Sequence, residues 1–325
     1  MAPTTTSQPT NLAAYLNQAK SPFSISPAPY PIPGPAELVI KNKAIAINPV
    51  DLAIKQTGIL IQSYPKIIGE DLAGIVVAVG SSVTKFGVGD RVLAGAAVTW
   101  EKGDEGAFQE YVKVPAAEWI VARMPEGLGF AEACVLPLGL TTAAAAMVGE
   151  GKLGVGMPSV EKPTGGSKMK GTLVVWGGSS SVGSGAIQIG VQAGWDVVAT
   201  ASERNFGYCK DLGAKWVFDH SSASVVEDIV AAVEKEGKGV EVKIIDAFSR
   251  GDAPIKSAQL AIRLANAYDV HPDIWAEWVP KALEVGTLKC KPDPLIVGKG
   301  FEDLEKVFQR EILSTSAQKL VVDLS

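Results

Sequence analysis

The chain has 325 residues, of which 47% are hydrophobic and 20% charged, and its net charge at pH 7 is −5. This length and composition predict a globular protein of two domains, and the dispersed basic residues and pI near 5.3 argue against nucleic acid or an anionic membrane as a partner. Three cysteines, Cys134, Cys209 and Cys290, are too far apart for a disulfide framework or a metal cluster and favour a reducing, cytoplasmic compartment.

The first 130 residues predict a mainly β structure. Residues 1–10 are rich in threonine and proline, lack the pattern of a secretory signal and predict a loose tail. Five prolines between residues 21 and 40 predict an extended lead-in, and Asp51 to Gly58 predicts a short helix. The strands predicted in this half are 37–40, 41–47, 73–79, 90–92 and 106–114.

The apolar pattern becomes helical from Phe130. The most apolar stretch, 133–148, is interrupted by Pro137 and Gly139, so it predicts a buried helix and not a membrane span. Residues 149–170 are rich in Gly, Pro, Ser and Lys and predict a surface connection.

Residues 171–202 predict one βαβ unit. A short apolar strand, 172–176, stops at Gly177-Gly178, a helix follows from Ser184, and 197–200 is a second strand. Gly183 allows the helix to sit close to the first strand, and the free N–H groups at the helix start suit a pyrophosphate. The spacing differs from G-x-G-x-x-G because Ser180 holds the middle position, so a serine-rich turn in another α/β protein remains the alternative.

The end of the second strand bears on which dinucleotide is bound. NAD-binding proteins place an acidic residue there for the ribose hydroxyls, whereas this chain has Ala201-Ser202. Small polar residues followed by Arg204 favour a 2′-phosphate, and therefore NADP(H). Glu203, only slightly further along, leaves NAD(H) open.

Helices and strands alternate after this unit, which predicts a parallel sheet. The predicted helices are 206–212, 224–236, 253–267, 274–285 and 301–312, and the predicted strands are 215–218, 240–246 and 319–324.

Three motifs carry a family resemblance. The segment GEDLAGIVVAVGSSVTKFGVGDRV (69–92), together with NPVD (48–51) and GGSSSVG (177–183), resembles the medium-chain dehydrogenase/reductase superfamily over nearly the whole chain. The sequence is most similar to the zinc-free quinone oxidoreductase branch and to fungal trans-acting enoyl reductase-like members.

The resemblance implies an α/β fold with two domains. A Rossmann domain with a parallel sheet, 137–274, is expected to bind NADP(H). A β-rich GroES-like catalytic domain is expected over 1–136 and 275–325, completed by the C-terminal segment. The active site is implied in the cleft between them.

The resemblance also implies a site without metal. Where zinc-dependent members carry two cysteines and a histidine, this chain has Asn48, a position near Leu138, and Glu70. No four-cysteine lobe occurs between 96 and 112. The two histidines, His220 and His271, have no partner at ligand spacing and are expected to be structural.

Without zinc, such a site is expected to transfer a hydride from the nicotinamide to a conjugated C=C bond in an enone, enal or enoyl thioester, or to a quinone. The residues implied on the catalytic side are Asn48, Asp51, Lys55 and Thr141. Lys55 is either a donor to the substrate or a solvated helix lysine. Thr141 and Thr142 match a turn that faces the cofactor, with helix capping as the alternative role.

NADP(H) is the implied cofactor, and most of its implied contacts lie in the glycine-serine turn and after the second strand. The full set is Thr142, Gly178, Ser179, Ser180, Ser181, Val182, Gly183, Ser202, Arg204, Asn205, Tyr208 and Gly298. Within it, Ser202, Asn205 and Tyr208 match positions around the 2′-phosphate, and Gly298 matches the nicotinamide side. Tyr64 and Trp100 are either aromatics of the substrate pocket or core residues.

One segment departs from the family pattern. Residues 253–273 are too few for two strands that complete the sheet, hold the nicotinamide carboxamide and pair across a dimer in many relatives. A lineage deletion or a product of gene modelling or splicing would explain this, and it predicts a four-stranded sheet with an exposed edge.

Two hypotheses of function follow. One is a reductase acting on a small-molecule or acyl-thioester substrate, as a monomer or homodimer, with a polyketide synthase as one candidate partner. The other is a catalytically silent relative that binds nucleotide or partner proteins. Zinc-dependent alcohol oxidation is a distant third.

Overall fold

The computed structural model describes residues 9–96, 105–116, 120–149, 151–161, 169–235, 241–247, 271–309 and 316–325. The strands are β1 (Asn11–Leu16), β2 (Phe23–Ala28), β3 (Glu37–Ala46), β4 (Lys66–Ile67), β5 (Asp71–Val79), β6 (Arg91–Gly95), β7 (Tyr111–Pro115), β8 (Val121–Arg123), β9 (Thr172–Trp176), β10 (Asp196–Ala201), β11 (Trp216–Asp219), β12 (Val242–Asp246), β13 (Asp293–Lys299) and β14 (Gln318–Asp323). The helices are α1 (Pro49–Thr57), α2 (Phe130–Ala133), α3 (Pro137–Met147), α4 (Ser181–Gln192), α5 (Phe206–Asp211), α6 (Val225–Glu234), α7 (Val279–Glu284) and α8 (Leu304–Phe308). Short 3₁₀ turns cover Glu203–Asn205 and Phe301–Asp303, and a π-helical turn, Ile274–Trp278, precedes α7.

The β-rich half contains two sheets. The larger has the order β13-β14-β3-β5-β6-β8, with β7 also paired to β3, and the smaller has the order β2-β1-β4. Strand β14 comes from the end of the chain and pairs antiparallel with β3, Val322 facing Ile45. The ring of Phe308 in α8 packs edge-on against Phe23 and Phe108, with centroids 5.2 and 6.1 Å away. The C-terminal segment therefore completes both the sheet and the core of the N-terminal half.

Strand β3 is continuous over ten residues, whereas the sequence predicted two strands that meet at residue 41. Asn42 lies in its middle with only 3% of its surface exposed. Its side-chain amide donates to the carbonyls of Ala107 and Gln109, at 2.8 and 2.7 Å, and the pairing register with β5 shifts between Asn42 and Ala44. The strand accommodates its polar residue through a bulge and does not break.

Two N-terminal strands were not predicted. The segment from residue 21 was expected to be an extended lead-in, but β2 pairs antiparallel with β1 over six residues. The strand predicted over 106–114 begins at Tyr111, because the residues before it serve a single bridge between Gln109 and Ala13. Pairing with distant segments sets these bounds, and local composition does not reveal it.

The second half is a parallel α/β sheet with the order β11-β10-β9-β12. This order, with the crossover from β11 to β12, is that of one half of a Rossmann fold. The sheet has four strands within the described residues, and β12 presents Ile244 with 64% of its surface exposed. The helix predicted over 253–267 lies outside the described residues.

The turn between β9 and α4 requires a glycine at position 183. A Cβ atom there would come within 2.2 Å of the Gly177 carbonyl oxygen. Ser180 is the N-cap, and its Oγ accepts a hydrogen bond of 2.9 Å from the Gly183 N–H. The helix therefore begins at Ser181, one turn earlier than the apolar pattern indicated.

Two glutamines one turn apart on α4 hold the chain as it returns to the β-rich half. Gln188 Oε1 accepts from the Lys289 N–H at 2.7 Å, and Gln192 Oε1 accepts from Trp278 Nε1 at 3.1 Å. Gln192 Nε2 also donates to the Thr287 carbonyl at 2.9 Å. These bonds seat the segment 278–289 on the α/β sheet before β13 begins.

The stretch Phe130–Met147 is long and apolar enough to cross a membrane by composition alone, with 67% of it buried inside the fold. Its two helices pack against the α/β sheet and the β-rich half together, as core helices of a globular protein do.

Candidate active site

The first part of the site is the junction between β3 and α1. The Asn48 N–H donates to Asp51 Oδ2 at 2.8 Å, so the third helical residue caps the helix start, and Pro49 occupies the first helical position. Asn48 is 3% exposed and Asp51 is fully buried. The sequence thus places an amide and a carboxyl beneath the surface where the strand ends.

A single buried carboxylate joins four segments of the chain. Asp71, the first residue of β5, accepts hydrogen bonds from Asn48 Nδ2 at 3.1 Å, from the Leu138 N–H at 2.8 Å and from Lys319 Nζ at 2.5 Å. Lys319 also donates to the Val135 carbonyl at 3.1 Å. The Asp71 group is the set Asn48, Asp51, Glu70, Asp71, Leu138 and Lys319.

Two other carboxyls of the Asp71 group have perturbed pKa values. Burial raises the pKa of Asp51 to about 7, against the opposing effect of the Asn48 N–H, and the charge of Asp71 adds to the increase. Burial also raises the pKa of Glu70 well above its usual range, reinforced by Asp51 and Asp71. The Oδ1 atom of Asp51 is buried without a hydrogen-bond partner in the described part of the chain.

The three positions at which the family resemblance places zinc ligands, Asn48, Glu70 and Leu138, come together in this group. The side chain of Asn48 and the N–H of Leu138 meet on Asp71, next to Glu70. Burial raises the pKa of the Cys134 thiol well above its usual range, and the nearby charge of Asp71 adds to this, which disfavours the thiolate that metals need. Over the described ranges, no group of three or more His, Cys, Asp or Glu could hold a metal ion.

Lys55 is not brought to the Asp71 group. Its Nζ lies 3.2 Å from Glu305 in α8, donates to the Ser21 carbonyl at 3.0 Å and sits 5.2 Å from the centroid of the Phe23 ring. Lys55 is only 7% exposed, so it is not the solvated helix lysine that the sequence offered as the alternative. Its catalytic role remains a prediction.

The two threonines of α3 lie near the same junction. Thr141 Oγ1 accepts from Trp275 Nε1 at 3.2 Å and is buried, and Thr142 Oγ1 donates to the Leu138 carbonyl at 2.8 Å. Leu138 is the residue whose N–H binds Asp71, so these residues adjoin the Asp71 group along α3.

The start of α4 fits a pyrophosphate. Ser180 Oγ donates to the carbonyls of Gly177 and Ala247 at 2.9 and 3.1 Å, which fixes the turn against the end of β12. The hydrogen bonds of the described residues include none from the N–H groups of Ser181 and Val182. Two free N–H groups at the positive end of a twelve-residue helix are a suitable site for phosphate oxygens.

The structure places the predicted residues after β10 in two sets. Asn205 Nδ2 donates to Ser179 Oγ at 3.3 Å and to Ser316 Oγ at 2.7 Å, and Arg204 beside it is exposed. Ser202 Oγ lies 3.3 Å from His220 Nε2. These residues lie at the carboxyl end of the parallel strands.

Two predicted cofactor residues have different neighbours. The Tyr208 hydroxyl is bonded to Ser184 Oγ at 2.7 Å, and burial raises the pKa of this tyrosine. A Cβ at Gly298 would lie 2.4 Å from Asp303 Cβ, so that glycine allows β13 to pass the following 3₁₀ turn. Tyr208 is thus joined to the first turn of α4 through Ser184, whereas no described hydrogen bond joins Gly298 to that turn.

Sequence reasoning missed Asp71, Lys319 and Ser316. Asp71 and Lys319 are 248 residues apart, and Asn205 and Ser316 are 111 apart, so no local pattern reports either pair. Of the two predicted pocket aromatics, Tyr64 is 39% exposed and lies beside Gly58, and Trp100 lies outside the described residues.

A β-rich unit completed by the last strand, beside a parallel sheet whose first helix follows a glycine-serine turn, is the two-domain α/β architecture of nicotinamide-dependent oxidoreductases. Residues 34–126 match the alcohol dehydrogenase GroES-like domain. Dehydrogenase pigH of Monascus ruber is 35% identical over 376 residues, covering 97% of this chain and 100% of the relative. Trans-enoyl reductase himH of Aspergillus japonicus is 35% identical over 347 residues, covering 97% and 98%. An alcohol dehydrogenase superfamily protein from Novosphingobium aromaticivorans superimposes with a TM-score of 0.72 at 25% identity, covering 97% of this chain and 100% of that one. The chain belongs to the medium-chain dehydrogenase/reductase family.

The alignment with the Monascus relative spans 376 positions, more than the 325 residues of this chain. That relative therefore carries residues that this chain lacks. The shortened segment predicted at 253–273 lies almost wholly outside the described residues and stays a prediction.

Proposed function

We propose that this oxidoreductase transfers a hydride from NADPH to a conjugated C=C bond of an enone, enal or enoyl thioester, or to a quinone, without a metal. The observation that carries the proposal is the composition of the Asp71 group. It offers an amide, carboxyls and an ammonium group at the position of the family's metal, and neither a thiolate nor an imidazole. Such groups orient a carbonyl and stabilise charge on it, which favours conjugate reduction over the oxidation of simple alcohols.

The cofactor-binding residues have distinct roles in this proposal. The N–H groups of Ser181 and Val182 hold the pyrophosphate, and the side chains of Ser179 and Ser180 shape the turn around it. The bound nicotinamide supplies the hydride. The junction of α3 with the β-rich half positions the substrate and excludes water from it.

NADP(H) is proposed over NAD(H) because of the residues that follow β10. The strand ends at Ala201, and Ser202 and the exposed Arg204 provide a hydroxyl and a cation for a 2′-phosphate. Arg204 suits a phosphate because its guanidinium donates two parallel hydrogen bonds. Glu203 is the opposing feature, since a carboxylate repels that phosphate.

The substrate class rests on analogy with relatives. The himH protein of Aspergillus japonicus is named a trans-enoyl reductase, which supports an enoyl thioester as substrate for this chain. A polyketide synthase as partner is proposed on the family resemblance alone. We also propose a cytoplasmic enzyme, monomeric or homodimeric, with its catalytic domain over 1–136 and 275–325 and its cofactor domain over 137–274.

Calorimetry with NADPH and NADH tests the proposal first, followed by NADPH consumption with an enone, an enal, an enoyl thioester and a quinone. We expect tighter binding of NADPH and turnover of at least one substrate. Arg204→Gln is expected to weaken NADPH binding at least tenfold and to leave NADH binding unchanged, because the charged hydrogen bonds of the guanidinium to the 2′-phosphate are lost. Lys210→Gln, an exposed cation on the next helix, is the matched control.

Each other outcome has a definite meaning. No binding of either nucleotide would overturn the proposed reductase. Nucleotide binding without turnover of any substrate class would favour the catalytically silent relative. Equal affinity for both nucleotides in the wild type would overturn the choice of NADP(H) alone.

A further inference from the structure

Glu70 is the one carboxyl-bearing residue of the Asp71 group that keeps any exposed surface. Asp51 and Asp71 have no exposed surface, whereas Glu70 retains 6%. The oxygens of Asp71 are occupied by three donors, and Asp51 Oδ2 binds the N–H of Asn48. No described residue donates a hydrogen bond to the Glu70 carboxyl, which leaves it available.

The charges around Glu70 favour its neutral form. Asp51 faces it from α1, Asp71 from β5 and Lys319 from β14. The one cation is paired with Asp71, so a second ionised carboxyl would be buried without compensation. Burial first, and the two carboxylates second, raise the pKa of Glu70 well above its usual range.

We propose that Glu70, as a neutral carboxylic acid, is a catalytic residue that donates a hydrogen bond to the substrate's carbonyl oxygen. Negative charge develops on that oxygen as the conjugated carbon accepts the hydride, and the bond strengthens as it does so. The proton stays on Glu70, and no bond of the carboxyl breaks in this step. The inference rests on the proposed function.

The stabilisation of a developing oxyanion explains why a carboxylic acid occupies position 70. A metal-dependent relative stabilises a substrate oxygen with a cation, and a neutral O–H donor in a buried site does the same with a dipole. An ionised carboxylate would repel the developing charge. Burial, together with the charge of Asp71, therefore serves catalysis by keeping Glu70 protonated, as burial does for acids that act as hydrogen-bond donors in other enzymes.

Two substitutions separate a donor from a structural residue. Glu70→Leu removes the donor and is expected to lower kcat by about 10² to 10³, the usual loss for one donor to a developing oxyanion. Glu70→Gln keeps an N–H donor and cannot ionise. It is expected to hold kcat within about tenfold of the wild type and to lack the fall in kcat that we expect of the wild type as pH rises and Glu70 ionises.

Glu37→Gln is the matched control. Glu37 begins β3, and the site lies at that strand's other end, about 30 Å away at 3.3 Å per residue. Its kcat and pH profile are expected to match the wild type. Unchanged kcat in Glu70→Leu would overturn the proposal, as would a Glu70→Gln enzyme as slow as Glu70→Leu, because the ionised form would then be the active one.

Proton release on unfolding tests the neutral state without any substrate. Just above the ordinary pKa of a glutamate, the unfolded side chain is ionised while the folded one holds its proton, so the wild type is expected to release about one proton more than Glu70→Gln on unfolding. Equal release would overturn the proposal, even where Glu70→Leu does not fold. A wild type that turns over none of the four substrates overturns the proposed function instead, so the two failures are distinguishable.

Discussion

The two carboxyl oxygens of Asp51 have surroundings with opposite effects on its protonation state. One carboxylate oxygen accepts the N–H of Asn48 and starts α1, which favours the ionised form. The other oxygen is buried without a partner among the described residues, which favours the neutral form. Burial prevails, and the pKa of Asp51 rises to about 7.

The pH dependence of stability tests this balance. Between about pH 4 and the folded pKa of about 7, the carboxyl of Asp51 is ionised in the unfolded chain and protonated in the folded one. The free energy of unfolding of the wild type is therefore expected to fall with rising pH relative to Asp51→Asn, by on the order of 4 kcal/mol over that range. Urea unfolding at several pH values measures it.

Asp51→Asn is chosen because it keeps an oxygen acceptor for the Asn48 N–H while it cannot titrate. Asp211→Asn, at the exposed end of α5, is the control, and its free energy of unfolding is expected to vary with pH in parallel with that of the wild type. If the free energy of unfolding of Asp51→Asn also varied with pH in parallel with that of the wild type, the raised pKa of Asp51 would be contradicted.

At the scale of elements, α4 sets the geometry of the cofactor half. Its start is held by Ser180 and by the contact of Gly183 with the Gly177 carbonyl, and its last two turns bind segment 278–289 through Gln188 and Gln192. Any change that moves the start of α4 therefore displaces both the free N–H groups and the returning chain.

Gly183→Ala is expected to do this. The added Cβ would approach the Gly177 oxygen to 2.2 Å, and the atoms it meets belong to the backbone, which cannot swing aside as a flexible side chain would. We expect a loss of about 1–3 kcal/mol in the free energy of unfolding and at least a tenfold weaker binding of NADPH. Gly207→Ala in α5 has open space at its Cβ and is the control, expected to bind NADPH like the wild type. If Gly183→Ala bound NADPH as tightly as the wild type, the turn would not be part of the cofactor site.

At the scale of the molecule, the last strand joins the parts. Strand β14 lies between β13 and β3, and its Lys319 is buried against Asp71 at the junction with α3. Just before it, Ser316 binds Asn205 beside the glycine-serine turn that precedes α4. The final ten residues of the chain thus contact both the β-rich half and the cofactor half.

A chain that ends at Ala317 is expected not to fold. Strands β3 and β13 would lose their shared neighbour, and Asp71 would remain as a buried charge without Lys319, at a cost of about 3–5 kcal/mol for the charge alone. That is a large fraction of the stability of a typical domain. Near-UV circular dichroism and urea unfolding measure the result. A chain that ends at Leu324 is the control, and a cooperative transition in the shorter chain would contradict the prediction.

The sequence alone indicated the family, the α/β class, the glycine-serine turn before α4 and most strands and helices. These features are encoded by neighbouring residues, since glycine spacing, capping and apolar period are properties of consecutive positions. The continuity of β3, the pairing of β1 with β2, the ion pair of Asp71 with Lys319 and the bond of Tyr208 to Ser184 were decided by the tertiary structure. Each depends on which distant segments meet and on whether a buried polar group finds a partner there, and no local pattern carries that information.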